Sequence, residues 1–242
     1  HTRCSRDWSS DVCSSDLEGI QLLTALLHRD SGVARAAWQV FRTAWDPDDT
    51  EGDEFRLLPL LADRLSLLDP GEPFLARAQG VRRQLTVRMM MRLDELDSVL
   101  TTLDHVGVDG VVLKGPALAL TVYDHVGQRL STDLDVLVRP SEFERVRSAL
   151  EAEGWAQREP DRPGKHSSDL ERGDHVLDLH HQPNLEMVVP GRLEDTLSFL
   201  QTEPASRPLR SGRLVTVLSP TDSLLHTVVH GTQDRKSTRL NS

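Results

Sequence analysis

Two aspartates separated by one residue stand at the start of an apolar run. Asp133 and Asp135 flank Leu134, and the alternation of acidic and apolar residues predicts a strand over 134–138. Side chains two positions apart on a strand share one face, which sets the two carboxylates about 6–7 Å apart. Neighbouring carboxylates repel each other unless a cation lies between them, and Mg²⁺ is a hard ion that takes carboxylate and phosphate oxygens. We therefore expect an exposed pair of metal-binding acids on a strand whose other face is buried.

A third acid lies on a second segment with period-two alternation. Residues 175–180 are predicted to form a strand that presents Asp178 and His180 on one face, while Leu177 and Leu179 face the core. If this strand lies beside the strand of Asp135, Asp178 can complete the metal site or accept a proton from an incoming hydroxyl group. The predicted catalytic and metal-binding residues are therefore Asp133, Asp135 and Asp178.

A lysine and a glycine precede these acids, between a predicted short strand and a helix predicted over 116–123. Backbone N–H groups at a helix start favour a phosphate group, and glycine permits its close approach. Lys114 or Arg129 can neutralise triphosphate oxygens as negative charge moves to the leaving pyrophosphate. We therefore predict nucleotide contacts from Lys114, Gly115 and Arg129, with His180 beside them.

The elements that position these residues form a mixed α/β pattern after Gly107. Short apolar runs alternate with helical segments, which is typical of a sheet with flanking helices. The remaining predicted elements are a strand at 110–113, a capped helix at 141–154, a polar loop or weak hairpin arm at 164–174, a strand at 213–218 and a helix that opens at 219–222.

The segment before this pattern is helical, with apolar residues at helical spacing from Glu18 to about Val106. Ser31 is the predicted cap of a second helix that a turn at 46–49 ends, and two further helices follow at about 55–68 and 72–104. The predicted fold class is therefore α+β, a small mixed sheet with flanking helices that is preceded by a helical region.

Both ends of the chain differ in sequence pattern from the rest. Residues 1–16 and 236–242 resemble translated sequencing-adapter read-through and are excluded from the fold prediction, although a Ser-rich native tail would look similar. The predicted organisation is a helical region at 17–106, a core at 107–218 and the start of a truncated C-terminal helical region at 219–235. Both cysteines, Cys4 and Cys13, fall in the excluded front segment and say nothing about compartment or metal.

The charge and hydropathy of the chain limit the classes of partner that we expect the protein to bind. A formal net charge of −10 over 242 residues argues against general affinity for nucleic acid, because phosphate binding needs a basic face. A nucleotide would therefore bind in a local pocket. No apolar run approaches the roughly 18 residues that span a bilayer, and no signal peptide is recognisable, so we expect a cytoplasmic protein without membrane association.

Taken together, these motifs resemble the uncharacterised nucleotidyltransferases of the polymerase-β superfamily. The matching residues in chain order are Leu113-Lys114-Gly115, Tyr123, Arg129, the segments 133–138 and 178–180, and Leu224-Leu225-His226 with His230. The resemblance implies a polymerase-β-type core that uses Mg²⁺ to move a nucleoside monophosphate from an NTP, with ATP as the expected donor, to a hydroxyl acceptor. It leaves the acceptor open.

One departure from the family pattern supports a second interpretation. Better-characterised members of the superfamily have glycine or serine after the first glycine, whereas this chain has Pro116, which has no N–H to offer a phosphate. The alternative is therefore a catalytically silent nucleotidyltransferase fold that acts as a binding or regulatory module.

Histidines and arginines elsewhere allow further interpretations. His175, His180 and His181 with Asp178 suggest a zinc site, although successive strand residues point to opposite faces and do not easily share one ion. His226 and His230 have the four-residue spacing of helix-borne ligands, but packing or substrate contact is the favoured interpretation. A basic stripe on the long helix, at residues 82, 83, 88 and 92, is interpreted as a solvated face.

Overall fold

The computed structural model describes residues 14–45, 53–129, 131–159, 167–182 and 200–240, with side chains left out at 14–18, 44, 53–56 and 231–240. The predicted turn at 46–49 and most of the predicted adapter segment at 1–16 lie outside these residues. Contacts divide the chain into two compact units, residues 1–85 and 86–242. This division lies inside the long fourth helix, whereas the predicted boundary was at 106.

The first unit is helical, as the apolar spacing predicts. Its helices are α1 (Ser14–Leu27), α2 (Ser31–Ala44), α3 (Asp53–Leu68) and the beginning of α4 (Leu75–His105). The buried Trp38 indole donates a hydrogen bond to Glu72 Oε2 at 3.1 Å, so the carboxylate at the α3–α4 turn is paired inside an apolar core. The core side chains of this unit are Leu22, Ala25, Ala37, Trp38, Phe41, Leu58, Leu61, Ala62, Leu65, Phe74 and Ala78.

Helix α2 is capped by Asp30, and the expectation that Ser31 caps it is wrong. The Asp30 carboxylate accepts hydrogen bonds from the N–H groups of Gly32 and Val33 at 2.8 and 3.0 Å, which satisfies two of the amide groups that a helix start leaves unpaired. Adjacent Asp and Ser are both good caps, and the backbone places Asp30 in the extended conformation that a cap requires.

This cap gives α2 a pH-dependent contribution to stability. The hydrogen bonds from Val33 and Gly32 lower the pKa of Asp30 below its ordinary value of 3.8. A group with a lowered folded-state pKa stabilises the protein above its unfolded pKa and loses that effect as the pH falls through the folded value. Asp30→Ala should therefore lower the denaturation midpoint at pH 7, and the difference from the wild type should shrink on acidification below about pH 4.

Denaturant titrations at several pH values check this prediction. Asp30→Asn is the matched control, because its amide oxygen still caps the helix but does not titrate. A difference between Asp30→Ala and the wild type that stays constant from pH 7 to pH 3 would contradict the assignment of Asp30 as an ionised cap.

The second unit contains a seven-stranded mixed sheet in the order β3-β4-β5-β2-β1-β7-β6. Its strands are β1 (Val111–Val112), β2 (Leu134–Leu137), β3 (Ala156–Gln157), β4 (Ser167–Arg172), β5 (His175–His180), β6 (Thr202–Pro204) and β7 (Thr216–Leu218). The helices are the rest of α4 together with α5 (Lys114–Thr121), α6 (Phe143–Ala152) and α7 (Pro220–Leu240), with 3-10 turns at Val126–Gln128 and Pro140–Glu142.

The strand pairing places the two acidic segments next to each other. Strand β2 is parallel to β5 and antiparallel to β1, which is parallel to β7. Strands β4 and β5 form an antiparallel hairpin, whose turn uses Gly173 at a positive φ of 58°. This is the mixed sheet with flanking helices that the sequence predicts.

The central strands are buried on both faces. Leu134, Val136, Leu177 and Leu179 pack into the main core with apolar residues of α4, while Leu137 packs with Leu113 and Leu218 in a smaller cluster. Because side chains alternate along a strand, Asp135 shares the face of Leu137, opposite the main core. The site therefore lies on the face that carries the smaller apolar cluster.

The two terminal strands of the sheet are missing from the sequence prediction. Strand β3 has two residues and β6 has three, which is too short for a periodic pattern. The segment predicted as a polar loop or weak hairpin arm contains β4, a six-residue strand.

No helix among the described residues is long and apolar enough to cross a membrane.

Candidate active site

Two aspartates face each other across neighbouring parallel strands. Asp135 of β2 is in register with Asp178 of β5, so the two side chains project from the same face of the sheet. Asp135, Asp178 and His180 each offer a ligand atom, and these three atoms lie within 4.8 Å of one another. The structure thus brings together two of the three predicted acids and the predicted histidine.

A lysine lies between the two carboxylates. The Lys114 Nζ atom is 2.6 Å from Asp135 Oδ1 and 3.8 Å from Asp178 Oδ2. His180 Nε2 lies 3.1 Å from the same Asp135 oxygen and 3.0 Å from Asp178 Oδ2. One oxygen of each acid is therefore held by the two basic side chains, and the cluster is an internal ion-pair network.

Burial and pairing shift the protonation equilibria of this network. Burial alone would raise the pKa of Asp178, but hydrogen bonds from His180 and Ser167 and the charges of His180 and Lys114 lower it well below its ordinary value. Burial opposes the charged forms of His180 and Lys114, yet the neighbouring carboxylates raise the pKa of both groups. The favoured state therefore has an ionised Asp178 beside a protonated lysine.

Asp133 lies outside the group of three ligand atoms, although it was predicted beside Asp135. Strand β2 begins one residue later, and the Asp133 carbonyl accepts a 2.8 Å hydrogen bond from the Ser131 hydroxyl. Burial and the negative charge of Asp135 raise the pKa of Asp133, with Lys114 opposing them. Asp133 is therefore electrostatically coupled to the pair, and its part in metal binding stays a prediction.

The expectation of an exposed acid pair is wrong for Asp135. Its side chain is 1% exposed, compared with 18% for Asp178 and 19% for Lys114. The apolar face of β2 was predicted correctly, but the opposite face is covered by Lys114, by His180 and by the smaller apolar cluster. Access to the site is through Asp178, Lys114 and the half-buried Asp133.

Helix α5 begins at Lys114, two residues before the predicted start. Leu113 is its N-cap residue and makes no side-chain cap hydrogen bond. Lys114 has a positive φ of 48°, a conformation that costs a non-glycine residue about 1–2 kcal/mol. This conformation accompanies the short contact between its ammonium group and Asp135, so strain coincides with the predicted functional residue.

Gly115 is buried, and its lack of a side chain has a packing reason. A Cβ atom there would come within 2.7 Å of the Ser131 Cβ atom, closer than real contacts allow. Ser131 therefore packs closely against Gly115, and its hydroxyl also donates a hydrogen bond to the Asp133 carbonyl. The nucleotide contact of Gly115 stays a prediction, and Ser131 is a positioning residue that the sequence analysis missed.

The predicted phosphate ligand Arg129 follows the 3-10 turn Val126–Gln128. Its Nε atom is buried and has no hydrogen-bond partner within the part of the chain that the structure describes. A buried guanidinium nitrogen without a hydrogen-bond partner has a free-energy cost, which a bound anion would lower. Its role as a triphosphate ligand remains a prediction.

Ser167 is a second residue that the sequence analysis missed. It lies on β4, opposite His180 in the strand register, and its side chain contributes to the lowered pKa of the Asp178 carboxyl group. The sequence predicts a polar loop or weak hairpin arm over 164–174, so it gives no expected position for the Ser167 hydroxyl. A strand assignment for residues 167–172 would have placed it beside the site.

Among the residues that the structure describes, no histidine other than His180 joins the acids. The His181 ring packs edge-on against Phe143 with ring centroids 4.9 Å apart, and His175 lies at the opposite end of β5. Of the three histidines in the zinc interpretation, the structure brings only His180 to Asp178. On α7 the rings of His226 and His230 stack with centroids 6.1 Å apart, and the choice between packing and substrate contact stays a prediction.

The residues around Asp135 fit a divalent cation. Asp135 Oδ2 is buried and accepts no hydrogen bond from the described residues, while Oδ1 is held by Lys114 and His180. A buried carboxylate oxygen without a donor is rare and requires a partner. The ammonium group of Lys114 already provides positive charge between the two acids, which shows that this position favours a cation.

The sequence of this chain matches a known protein family. Residues 52–242 match the family described as uncharacterised nucleotidyltransferase, which is most of the chain. The protein therefore belongs to the uncharacterised nucleotidyltransferase family and is a nucleotidyltransferase, as the sequence motifs indicate. No curated protein matches the sequence significantly.

Two solved structures are similar to parts of this chain. The crystal structure of ANT(2″)-Ia in complex with adenylyl-2″-tobramycin is 17% identical, with a TM-score of 0.40 over 53% of this chain and 70% of that chain. The crystal structure of TM1012 from Thermotoga maritima is 14% identical, with a TM-score of 0.43 over 62% of this chain and 91% of that chain.

Proposed function

We propose that this enzyme transfers a nucleoside monophosphate from an NTP, with ATP as the expected donor, to a hydroxyl acceptor in a Mg²⁺-dependent reaction. The observation that carries the proposal is the cross-strand pair of Asp135 and Asp178 in a member of a nucleotidyltransferase family. The positively charged ammonium group of Lys114 lies between these two carboxylates. A cation that bridges protein carboxylates to phosphate oxygens is the arrangement that phosphate transfer requires.

The proposed residues divide into those that bind the cation and those that hold them in place. Asp135 and Asp178 would bind Mg²⁺, with Asp133 completing the set on the open side. When bound there, Mg²⁺ supplies Lewis-acid stabilisation of the charge on the phosphate oxygens. His180 spans both carboxylates and fixes their orientation, so its proposed role is to position the acids.

The proposed phosphate ligands are the basic residues Lys114 and Arg129. In the reaction the acceptor oxygen bonds to the α-phosphorus atom, the bond from that atom to the β-phosphate oxygen breaks, and pyrophosphate leaves with its electrons. Lys114 and Arg129 would neutralise the negative charge that develops on pyrophosphate. The hydroxyl proton would pass to an acidic side chain at the site.

Labelled NTPs test this function against the catalytically silent alternative. The protein is incubated with Mg²⁺ and small-molecule hydroxyl acceptors, with the label in the α- or the γ-phosphate in parallel reactions. Nucleotidyl transfer places the α-label in the acceptor product and the γ-label in pyrophosphate, whereas phosphoryl transfer places the γ-label in the acceptor product. Transfer of the γ-label to the acceptor would contradict the proposal. Failure to bind any NTP in the presence of Mg²⁺ would favour the silent binding module.

A further inference from the structure

Lys114 occupies the position that the proposed function assigns to a metal ion. Its Nζ atom is 2.6 Å from Asp135 Oδ1 and 3.8 Å from Asp178 Oδ2, which are the two carboxylates of the candidate cation site. An ammonium group and a divalent cation bound to the same two carboxylates would lie a few ångströms apart and repel each other. Both cations therefore cannot hold these positions together.

We propose that Lys114 is a built-in counter-ion that a divalent cation displaces, and that the released ammonium group then binds the phosphate groups of the incoming nucleotide. The inference rests on the proposed function, because it takes Asp135 and Asp178 as the cation ligands. It adds that cation binding and phosphate binding are coupled through one side chain. In the cation-free enzyme, Lys114 holds the carboxylates together and neutralises their charge.

The carboxylates give the reason for such a counter-ion. Asp135 is 1% exposed, so its charge would be poorly solvated without a partner. His180 contacts both acids, but three aspartates surround one lysine and one histidine, and the site keeps a negative balance. Lys114 lowers that cost in the absence of metal, and a divalent cation would compensate it more fully.

The position of Lys114 makes the exchange physically simple. The residue is the first of α5, its side chain is 19% exposed, and its four-carbon stem can rotate away without moving the helix. The open side of the cluster lies towards Lys114 and Asp178 and away from the buried Asp135. The released ammonium group would therefore point to the side from which a nucleotide enters.

The test measures the dissociation constant of Mn²⁺ by electron paramagnetic resonance on the whole protein without nucleotide. Lys114→Met removes the competing charge and keeps a side chain of similar length. We expect Mn²⁺ to bind this variant about tenfold more tightly than the wild type, in line with the loss of a neighbouring positive charge. We also expect Mg²⁺·ATP to bind it more weakly, so the two affinities change in opposite directions.

Each alternative gives a different result. If Lys114→Met binds Mn²⁺ no more tightly than the wild type, displacement is overturned while metal binding at the acids stands. If neither protein binds Mn²⁺, the proposed function fails as well. A purely structural role for Lys114 would weaken both affinities together, which also overturns the proposal.

Lys114→Arg provides the second variant and decides the question if the Met variant does not fold. Its guanidinium group stays charged and can bind both carboxylates, so Mn²⁺ should bind no more tightly than to the wild type. Tighter binding of Mn²⁺ by Lys114→Arg would overturn the proposal. Thermal unfolding with and without Mn²⁺ supplies an independent measurement, since a ligand that binds more tightly raises the melting temperature further.

Discussion

Asp135→Asn should reduce nucleotidyl transfer by on the order of 10³-fold, because loss of one group that stabilises transition-state charge typically costs about 10²–10³ in rate. The substitution keeps the shape of a buried side chain but removes the charge that holds the Lys114 ammonium group at 2.6 Å. It also removes one of the two carboxylates that we assign to the cation. Initial rates with α-labelled NTP measure the effect.

The control for this prediction is Asp174→Asn, the same substitution at an exposed position in the turn of the β4–β5 hairpin. It should leave the rate within about twofold of the wild type, as expected for a surface change away from special features. Thermal unfolding of Asp135→Asn separates a loss of chemistry from a loss of folding. Retention of most of the wild-type rate by folded Asp135→Asn would contradict the assignment.

Gly127→Ala should destabilise the protein. Gly127 lies in the 3-10 turn before Arg129, and a Cβ atom there would come within 2.8 Å of both the Cα and N atoms of Thr86 on α4. Helix backbone cannot move aside as a flexible side chain can. We expect a loss of about 1–3 kcal/mol in the free energy of unfolding, the usual cost of overpacking a core.

Gly80→Ala is the matched control with the opposite sign. Gly80 lies on α4, the helix that contains Thr86. The nearest atom to a new Cβ at Gly80 is an Arg83 guanidinium nitrogen at 4.0 Å. Alanine in an open helical position should stabilise the protein by roughly 0.5–1 kcal/mol. Urea titration of both variants measures the difference, and a Gly127→Ala protein as stable as the wild type would show that the 3-10 turn does not pack as described.

The sequence predicted the two central strands because their pattern is local. Alternation at 134–138 and 175–180 is enough to place Asp135 and Asp178 opposite the core leucines. The parallel pairing of the two strands was only a condition in that prediction, since nothing within either segment specifies its neighbour. The structure supplies this pairing and the register that brings the acids together.

The contacts of Lys114 show why the rest of the site was not predictable. A strand with alternating apolar residues normally has one open face, so Asp135 was expected to be exposed. Its burial arises from residues distant in sequence, namely Lys114 and His180, and from a positive φ at Lys114 that no residue type signals. Side-chain ion pairs of this kind depend on tertiary packing and not on periodicity.

Short elements and adjacent caps were unpredictable for a different reason. Strand β6 has three residues, all exposed, so it carries no apolar alternation. At the start of α2, Asp30 and Ser31 are both favourable caps, and only the backbone conformation decides between them. The close contact of Ser131 with Gly115 joins two segments of the chain, so no local sequence pattern predicts it.

We propose that Asp135 and Asp178 bind one divalent cation that also contacts the nucleotide. Crystals grown with Mn²⁺ and a non-hydrolysable NTP test this proposal, because anomalous scattering locates the metal independently of the protein. We expect a Mn²⁺ peak in direct contact with both carboxylates and with phosphate oxygens. A bound nucleotide whose metal lies away from these two aspartates, with Lys114 still between them, would overturn the proposal.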